Sequence, residues 1–219
     1  MKKYKVGTFF SAVALCALLF CPLMGYADTV TLTLVSVGGQ TSGTNPEVYV
    51  YPYNLSINNS TTLTPMMCIS YENEIYTGES WTATEMSVTG TQYLEAAYIF
   101  SLAAAHNASA TTIAEAQWAN WELFDPNDSN LTGNLPAGYQ GDINNMLAAA
   151  LAFAQANPDS NQFTGYSIFV PVAGSQSEGG TPQTFFGDPP SPEPSSFILF
   201  GTGLLGLAAI WYRRRSVIL

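Results

Sequence analysis

The stretch TVTLTLVSV, residues 29–37, alternates threonine with leucine and valine, and two glycines follow it. A period of two places alternate side chains on opposite faces of the chain, so this stretch predicts a β-strand with one buried face that ends at a turn. Similar patterns predict strands at residues 47–53, 63–71 and 163–170.

The middle of the chain has the spacing of helices instead. Residues 91–106 are rich in alanine and repeat larger apolar side chains every four positions, which predicts a helix with one apolar face. Two more helices are predicted at residues 111–124, with Ser109 or Thr111 as the cap, and at residues 142–157. This order of elements predicts an α+β fold, in which an antiparallel β-sheet or barrel carries an inserted group of about three helices.

The charged residues are divided between the ends of the chain and its body. All six lysines and arginines lie at the two ends, whereas all 16 acidic residues lie between positions 6 and 212. Because nucleic-acid binding depends on cationic side chains, this distribution excludes a nucleic-acid partner. Lysine or arginine ion pairs cannot stabilise the body, so its stability must come from apolar burial and hydrogen bonds. No metal or cofactor site is predicted.

The first 27 residues have the organisation of a signal peptide. Three lysines precede an apolar run, and Gly25 and Ala27 place small residues at both recognition positions of a signal peptidase. We therefore expect cleavage between Ala27 and Asp28. Residues 28–173 are then predicted to form a globular extracellular domain, and residues 174–191, rich in glycine, serine and proline, to form a linker.

The C-terminal end, residues 192–219, has three parts. A Pro-Glu-Pro sequence comes first, an uncharged apolar stretch at residues 195–212 follows, and three arginines come after it. The apolar stretch is long enough for a short membrane helix, and the arginines favour the cytoplasmic side, so the body must cross the membrane. The candidate sorting residues are Pro192, Glu193, Pro194, Arg213, Arg214 and Arg215.

This C-terminal arrangement resembles the PEP-CTERM sorting signal. The resemblance implies that an exosortase-type enzyme recognises the protein while its C-terminal helix lies in the inner membrane, after signal peptidase has acted. It further implies removal of the anchor and delivery to the cell surface or extracellular matrix of a Gram-negative bacterium that makes exopolysaccharide.

Cys68 and Gln117 are the candidate reactive residues of the body. Cys68 is the only cysteine after the predicted leader, and Gln117 shares a predicted helix face with Ile113, Trp121 and Phe124. A glutamine amide on a buried face is costly unless it is satisfied. A thioester between the cysteine sulfur and the glutamine acyl group would remove that cost.

The segments around these two residues resemble the thioester domains of bacterial surface adhesins. Those domains pair a Tyr-Cys-Ile-Asp-like segment with a Thr-Gln-x-Ala-Ile-Trp-like segment. The matching residues here are Cys68, Ile69, Gln117, Ala119 and Trp121. The resemblance implies covalent capture of a surface amine, with Gln117 supplying the acyl carbon and Cys68 as the leaving group.

Two other interpretations remain open. Cys68 could be a small buried apolar residue and Gln117 could bind a backbone group, in a matrix protein that is structural or binds polysaccharide without covalent chemistry. A secreted hydrolase could use Glu72 and Glu74 as a carboxylate pair. Because the sequence shows no set of nucleophile, base and orienting residue, we expect a protein that is not an enzyme.

Overall fold

The computed structural model describes residues 29–44, 46–158, 161–176 and 182–189, together with residues 202, 203 and 206. The predicted signal peptide, the sorting residues and nearly all of the predicted membrane segment lie outside these ranges. Among the helices that are described, none is long and apolar enough to cross a membrane. The membrane helix at residues 195–212 therefore stays a prediction.

Along the described chain, six strands come first, the helices follow, and two strands come last. The strands are β1 (Thr29–Val37), β2 (Thr41–Ser42), β3 (Val48–Tyr49), β4 (Tyr53–Ile57), β5 (Leu63–Cys68), β6 (Ser80–Ser87), β7 (Ser167–Pro171) and β8 (Phe185–Gly187). The helices are α1 (Thr91–Ala103), α2 (Ala110–Phe124), α3 (Ser129–Asn134) and α4 (Gln140–Ala156), and a short 3-10 helix spans Asn161–Phe163.

Six of the strands close into an antiparallel barrel in the order β1–β4–β5–β8–β7–β6, while β2 and β3 form a separate pair. The four helices are inserted between β6 and β7. The predicted α+β fold is thus confirmed, and closure leaves the barrel without an open edge between its first and last strands.

The alternation along β5 produces two apolar layers. The side chains of Met66 and Cys68 belong to the cluster that fills the barrel, to which all six barrel strands contribute. Met67 and Ile69 belong instead to the larger cluster between the barrel wall and the helices. Successive residues of this strand therefore face opposite layers, as the period of a β-strand requires.

Helix α2 lies at the centre of the helical layer. It packs against α1 and α4 and also contacts β5. Every residue from Ala114 to Trp121 is buried. A helix buried on all sides has no solvent-facing stripe, and a polar side chain on it must find its partners inside the protein. Gln117 and Asn120 are in this position.

Ser109 caps α2 and so fixes where the helix that carries Gln117 begins. Its hydroxyl oxygen accepts a hydrogen bond from the backbone N–H of Thr112 at 3.0 Å. We expect Ser109→Ala to lower the free energy of unfolding by about 1 kcal/mol, because that N–H loses its acceptor. Urea denaturation followed by circular dichroism would measure the change. Thr111→Ala is the matched control and should change stability by less than about 0.5 kcal/mol; equal losses in both variants would contradict the assignment of the cap.

Several strands differ from the sequence predictions. Strands β2 and β4 were not predicted, and the strand predicted at residues 163–170 begins only at Ser167. Residues 47–53, predicted as one strand, form only the short β3 before the chain turns at Pro52 and enters β4. Proline lacks the N–H that a continuing strand needs. The strand β6 was not predicted, because only Trp81 and Ala83 within it are buried and its threonines and glutamate are typical of an exposed loop.

The predicted linker is wrong over part of its length. Within residues 174–191, β8 pairs with both β5 and β7 and so completes the barrel. Phe185 and Phe186 are fully buried there, on opposite faces of the barrel wall. A three-residue strand is too short to show a period, and the surrounding glycines, serines and prolines dominated the pattern. The globular domain, predicted to end at residue 173, therefore includes β8.

Candidate functional site

Cys68 and Gln117 come together where α2 crosses the end of β5. The side-chain nitrogen Nε2 of Gln117 donates a hydrogen bond to the backbone carbonyl of Cys68 at 2.5 Å. Its oxygen Oε1 accepts a hydrogen bond from the backbone N–H of Tyr51 at 3.2 Å. Both Gln117 and Cys68 are 0% exposed. Two backbone groups thus hold the amide of Gln117 against the last residue of β5 and satisfy it without a covalent bond.

Strand β5 and the residues after it fix the position of Cys68. Cys68 pairs with Phe185 of β8. Its thiol donates to the backbone carbonyl of Ser70 at 3.0 Å, while the Ser70 hydroxyl accepts from the backbone N–H of Thr184 at 2.9 Å. The chain beyond β5 is therefore tied to the chain before β8, and the sulfur is held at one end of the barrel interior.

Burial governs the acidity of this thiol. It raises the pKa of Cys68 to about 12, against the smaller lowering effects of the Trp121 indole and of Ser70. Asp125, at the end of α2, raises the pKa further through its negative charge. At neutral pH the free thiol is therefore protonated and inert toward external reagents. The same burial that disfavours a thiolate is compatible with a thioester, because a thioester carries no charge.

The other residues of the two segments lie around the pair. Ile69 and Ala119 are buried in the helical cluster with Trp121. The ring of Trp121 meets the rings of Tyr71 and Trp118 edge to face, each with centroids 5.1 Å apart. Four of the five residues that carried the resemblance thus lie in the layer between the helices and the barrel wall, while the side chain of Cys68 lies in the barrel cluster.

Sequence reasoning missed two members of this site. Tyr51 contributes a backbone N–H, which no side-chain pattern reveals. Asn120 departs from the adhesin segment and is fully buried; its Nδ2 donates to the sulfur of Met67 at 2.8 Å. Its Oδ1 has no hydrogen-bonding partner among the described residues.

The structure also has an open cleft of about 840 Å³, which neither Cys68 nor Gln117 lines directly. The carboxylates that line it are Glu47, Glu72 and Glu74. The aromatic side chains that line it are Tyr49, Tyr53, Tyr71, Tyr76 and Trp121.

One of these aromatic residues, Tyr53, belongs to the same barrel cluster as Cys68. Burial and then the charge of Cys68 raise the pKa of Tyr53. One wall of the cleft therefore adjoins Cys68.

Comparison with protein families matches the C-terminal sequence to a known motif. Residues 192–215 match the PEP-CTERM protein-sorting motif. This range contains the predicted Pro-Glu-Pro sequence and the three arginines, so the predicted sorting signal is confirmed. The PEP-CTERM match supports export through a membrane-anchored intermediate to the cell surface, with processing by an exosortase-type enzyme.

No curated protein matches the chain significantly, and neither does any solved structure. The likeness to thioester domains consequently stays a prediction from the two short segments.

Proposed function

We propose that the mature domain of this PEP-CTERM protein is a non-enzymatic surface adhesin that attaches itself covalently to a primary amine. The attachment would proceed through an internal thioester between Cys68 and Gln117. The observation that carries the proposal is the position of the Gln117 amide, fixed between the backbone of Cys68 and the backbone of Tyr51.

The hydrogen bonds of Gln117 fit the bond-forming step. The sulfur of Cys68 must first leave its contact with Ser70 and the barrel cluster and turn toward α2. It then loses its proton and attacks Cδ of Gln117, and the former carbonyl oxygen becomes negatively charged. The Tyr51 N–H already donates to that oxygen and stabilises the charge as it develops. The C–N bond then breaks, and ammonia leaves with the proton that the thiol gave up.

The capture step regenerates the thiol. A partner amine attacks the same carbon, an amide forms between that amine and the acyl group of Gln117, and the sulfur of Cys68 leaves and takes a proton. No lysine occurs between residues 6 and 212, so no side-chain amine of the body can consume the thioester. One molecule of the protein would thus capture one amine and would not turn over.

Intact mass tests the proposal directly. Mature protein isolated from its host is expected to be lighter than its sequence requires by one molecule of ammonia, and methylamine is expected to add to it. Iodoacetamide added in denaturant should label Cys68 only after the methylamine reaction. An unmodified mass together with a thiol that is labelled at once would refute the thioester and leave the sorting signal unaffected.

The cleft favours a second candidate, a matrix protein that binds polysaccharide without covalent chemistry. Four tyrosines and a tryptophan line it, and aromatic faces are suited to packing against sugar rings. In this case the side chain of Gln117 would only connect β5 with the residues before β4 through its two hydrogen bonds. Binding of neutral oligosaccharides by a protein of unmodified mass would favour this candidate.

A further inference from the structure

The negative charges of the cleft carboxylates have few hydrogen-bonding or cationic partners among the described residues. Glu47 accepts a hydrogen bond from the Thr41 hydroxyl at 3.0 Å, and Glu74 accepts one from the Tyr76 hydroxyl at 3.2 Å. Glu72 is exposed and has neither a hydrogen bond nor an ion pair with another described residue. Since the body contains no lysine or arginine, its own side chains supply no such cation to balance the three charges. A cleft lined by one sign of charge attracts the opposite sign.

Aromatic faces accompany these carboxylates. Tyr49 is 49% exposed and Tyr76 is 54% exposed, although both are large rings whose burial would be favourable. An exposed tyrosine ring beside carboxylates is suited to an organic cation, because the face of the ring attracts positive charge while its edge packs on the alkyl part.

Gln183 adds an observation that does not depend on charge. This residue lines the cleft and is only 8% exposed. Its Nε2 donates to the backbone carbonyl of Asn73, but its Oε1 has no donor among the described residues. A buried acceptor without a donor is costly, and a ligand that brings N–H groups would remove the cost.

We infer that this cleft binds an alkylammonium ion, as found on a lysine side chain or an aliphatic diamine. Once the bound ammonium gives up one proton to a carboxylate of the cleft, the free amine can attack the thioester. The ammonium group would be held by Glu72 and Glu74, with its alkyl chain against Tyr49 and Tyr76, and a movement of the Gln183 side chain would let its buried Oε1 accept from the same group. The cleft would therefore select cationic amines over neutral nucleophiles. The inference takes its purpose from the proposed thioester, but the binding itself does not require the bond.

A neutral sugar fits the same cleft less well. It would pack on the tyrosines and its hydroxyls would donate hydrogen bonds, but it would leave the charges of Glu47, Glu72 and Glu74 without a counter-ion. The cleft is therefore better matched to a cation than to an uncharged polysaccharide.

The test separates binding from covalent capture. Mature Cys68→Ala protein, which cannot form the thioester, is titrated calorimetrically with cadaverine and with pentane-1,5-diol, a neutral molecule of the same length. We expect saturable binding of cadaverine, none of the diol, and weakening by added salt. Glu72→Gln should weaken cadaverine binding about tenfold, whereas Asp142→Asn, which removes one exposed charge outside the cleft, should not.

Two further experiments identify the source of the amine and provide a substitute if Cys68→Ala does not fold. Tighter binding of Nα-acetyl-lysine amide than of cadaverine would point to protein lysines, and the reverse to free diamines. If Cys68→Ala does not fold, choline on the unaltered protein replaces cadaverine, because a quaternary ammonium cannot attack a thioester; its neutral counterpart is 3,3-dimethylbutanol.

Two outcomes would overturn the inference. Equal binding of the cation and its neutral counterpart would do so, as would binding of neutral oligosaccharides that Glu72→Gln leaves unchanged. If Cys68→Ala binds cadaverine while the unaltered mature protein has the mass that its sequence requires, only the thioester is refuted, so the failure of one proposal is distinguishable from the failure of the other.

Discussion

Gln117→Glu is expected to abolish covalent capture completely while keeping the size and shape of the side chain. A carboxylate resists attack by a thiol and has no ammonia to release, so the thioester cannot form. The variant should show the mass that its sequence requires, take up no methylamine and contain one thiol that iodoacetamide labels in denaturant. These readouts need only intact-mass spectrometry of the mature protein before and after each reagent.

The same substitution should make stability depend on pH. The Nε2 of Gln117 donates to the Cys68 carbonyl, so a glutamate there must be protonated to keep that hydrogen bond. Burial in this site should hold the pKa of the new carboxyl above its value in the unfolded chain. The variant should therefore be most stable below the unfolded pKa and lose stability as the pH rises through the folded one. The unaltered protein should lack this component.

Asn120→Asp provides the matched control for this experiment. It makes the same change from amide to carboxyl on the same helix, at a site that is also 0% exposed, but Asn120 binds Met67 rather than Cys68. The control should lose stability and still be lighter by one ammonia. Persistence of that deficit in Gln117→Glu would place the loss of ammonia at another residue and remove the mechanism.

The sequence predicted those elements whose side chains repeat over a long stretch. Thr29–Val37 forms one strand because its residues alternate between the barrel interior and the outside as far as Leu34, after which a bulge precedes Ser36. Three of the four described helices were located from the sequence, whereas α3 (Ser129–Asn134) was not predicted. Strand β6 was missed because Thr82, Thr84 and Glu85 look like loop residues, and only the closure of the barrel gives Trp81 a buried face.

The candidate site, like the fold, could be predicted only in part from the sequence. That Cys68 and Gln117 are neighbours could be predicted from side chains alone, but the Gln117 amide binds the backbone carbonyl of Cys68 rather than its sulfur, and the thioester stays a prediction. The N–H of Tyr51 could not be predicted, because a backbone donor has no sequence pattern and reaches Gln117 only through folding across 66 positions. Glu72 and Glu74 were noted as a pair, but their shared cleft with Tyr49 and Gln183 depends on chain segments that are distant in sequence.

Replacing Pro192, Glu193 and Pro194 together with alanine is expected to trap the full-length protein in the inner membrane. These residues open the stretch that matches the PEP-CTERM motif, so their loss should prevent recognition by the exosortase-type enzyme. The apolar segment and the arginines after it would still hold the chain in the bilayer. Membrane fractionation and the C-terminal mass would show whether the anchor has been kept.

The control replaces prolines with alanines at positions just outside the motif. Alanines at Pro189 and Pro190 also remove two prolines from the same region, but the motif begins at residue 192. That variant should be processed like the unaltered protein. Normal processing of the triple variant would mean that this Pro-Glu-Pro sequence is not what the enzyme recognises.

The trapped protein also separates sorting from thioester formation. Its body has already crossed the membrane, since the arginines hold only the extreme C-terminus on the cytoplasmic side. The barrel and helices α1 to α4 end before residue 190, so we expect the domain to fold while the anchor is still in place. Full-length trapped protein should therefore already be lighter by one ammonia. A trapped protein of full mass, beside a released protein that shows the deficit, would mean that the bond forms only after release.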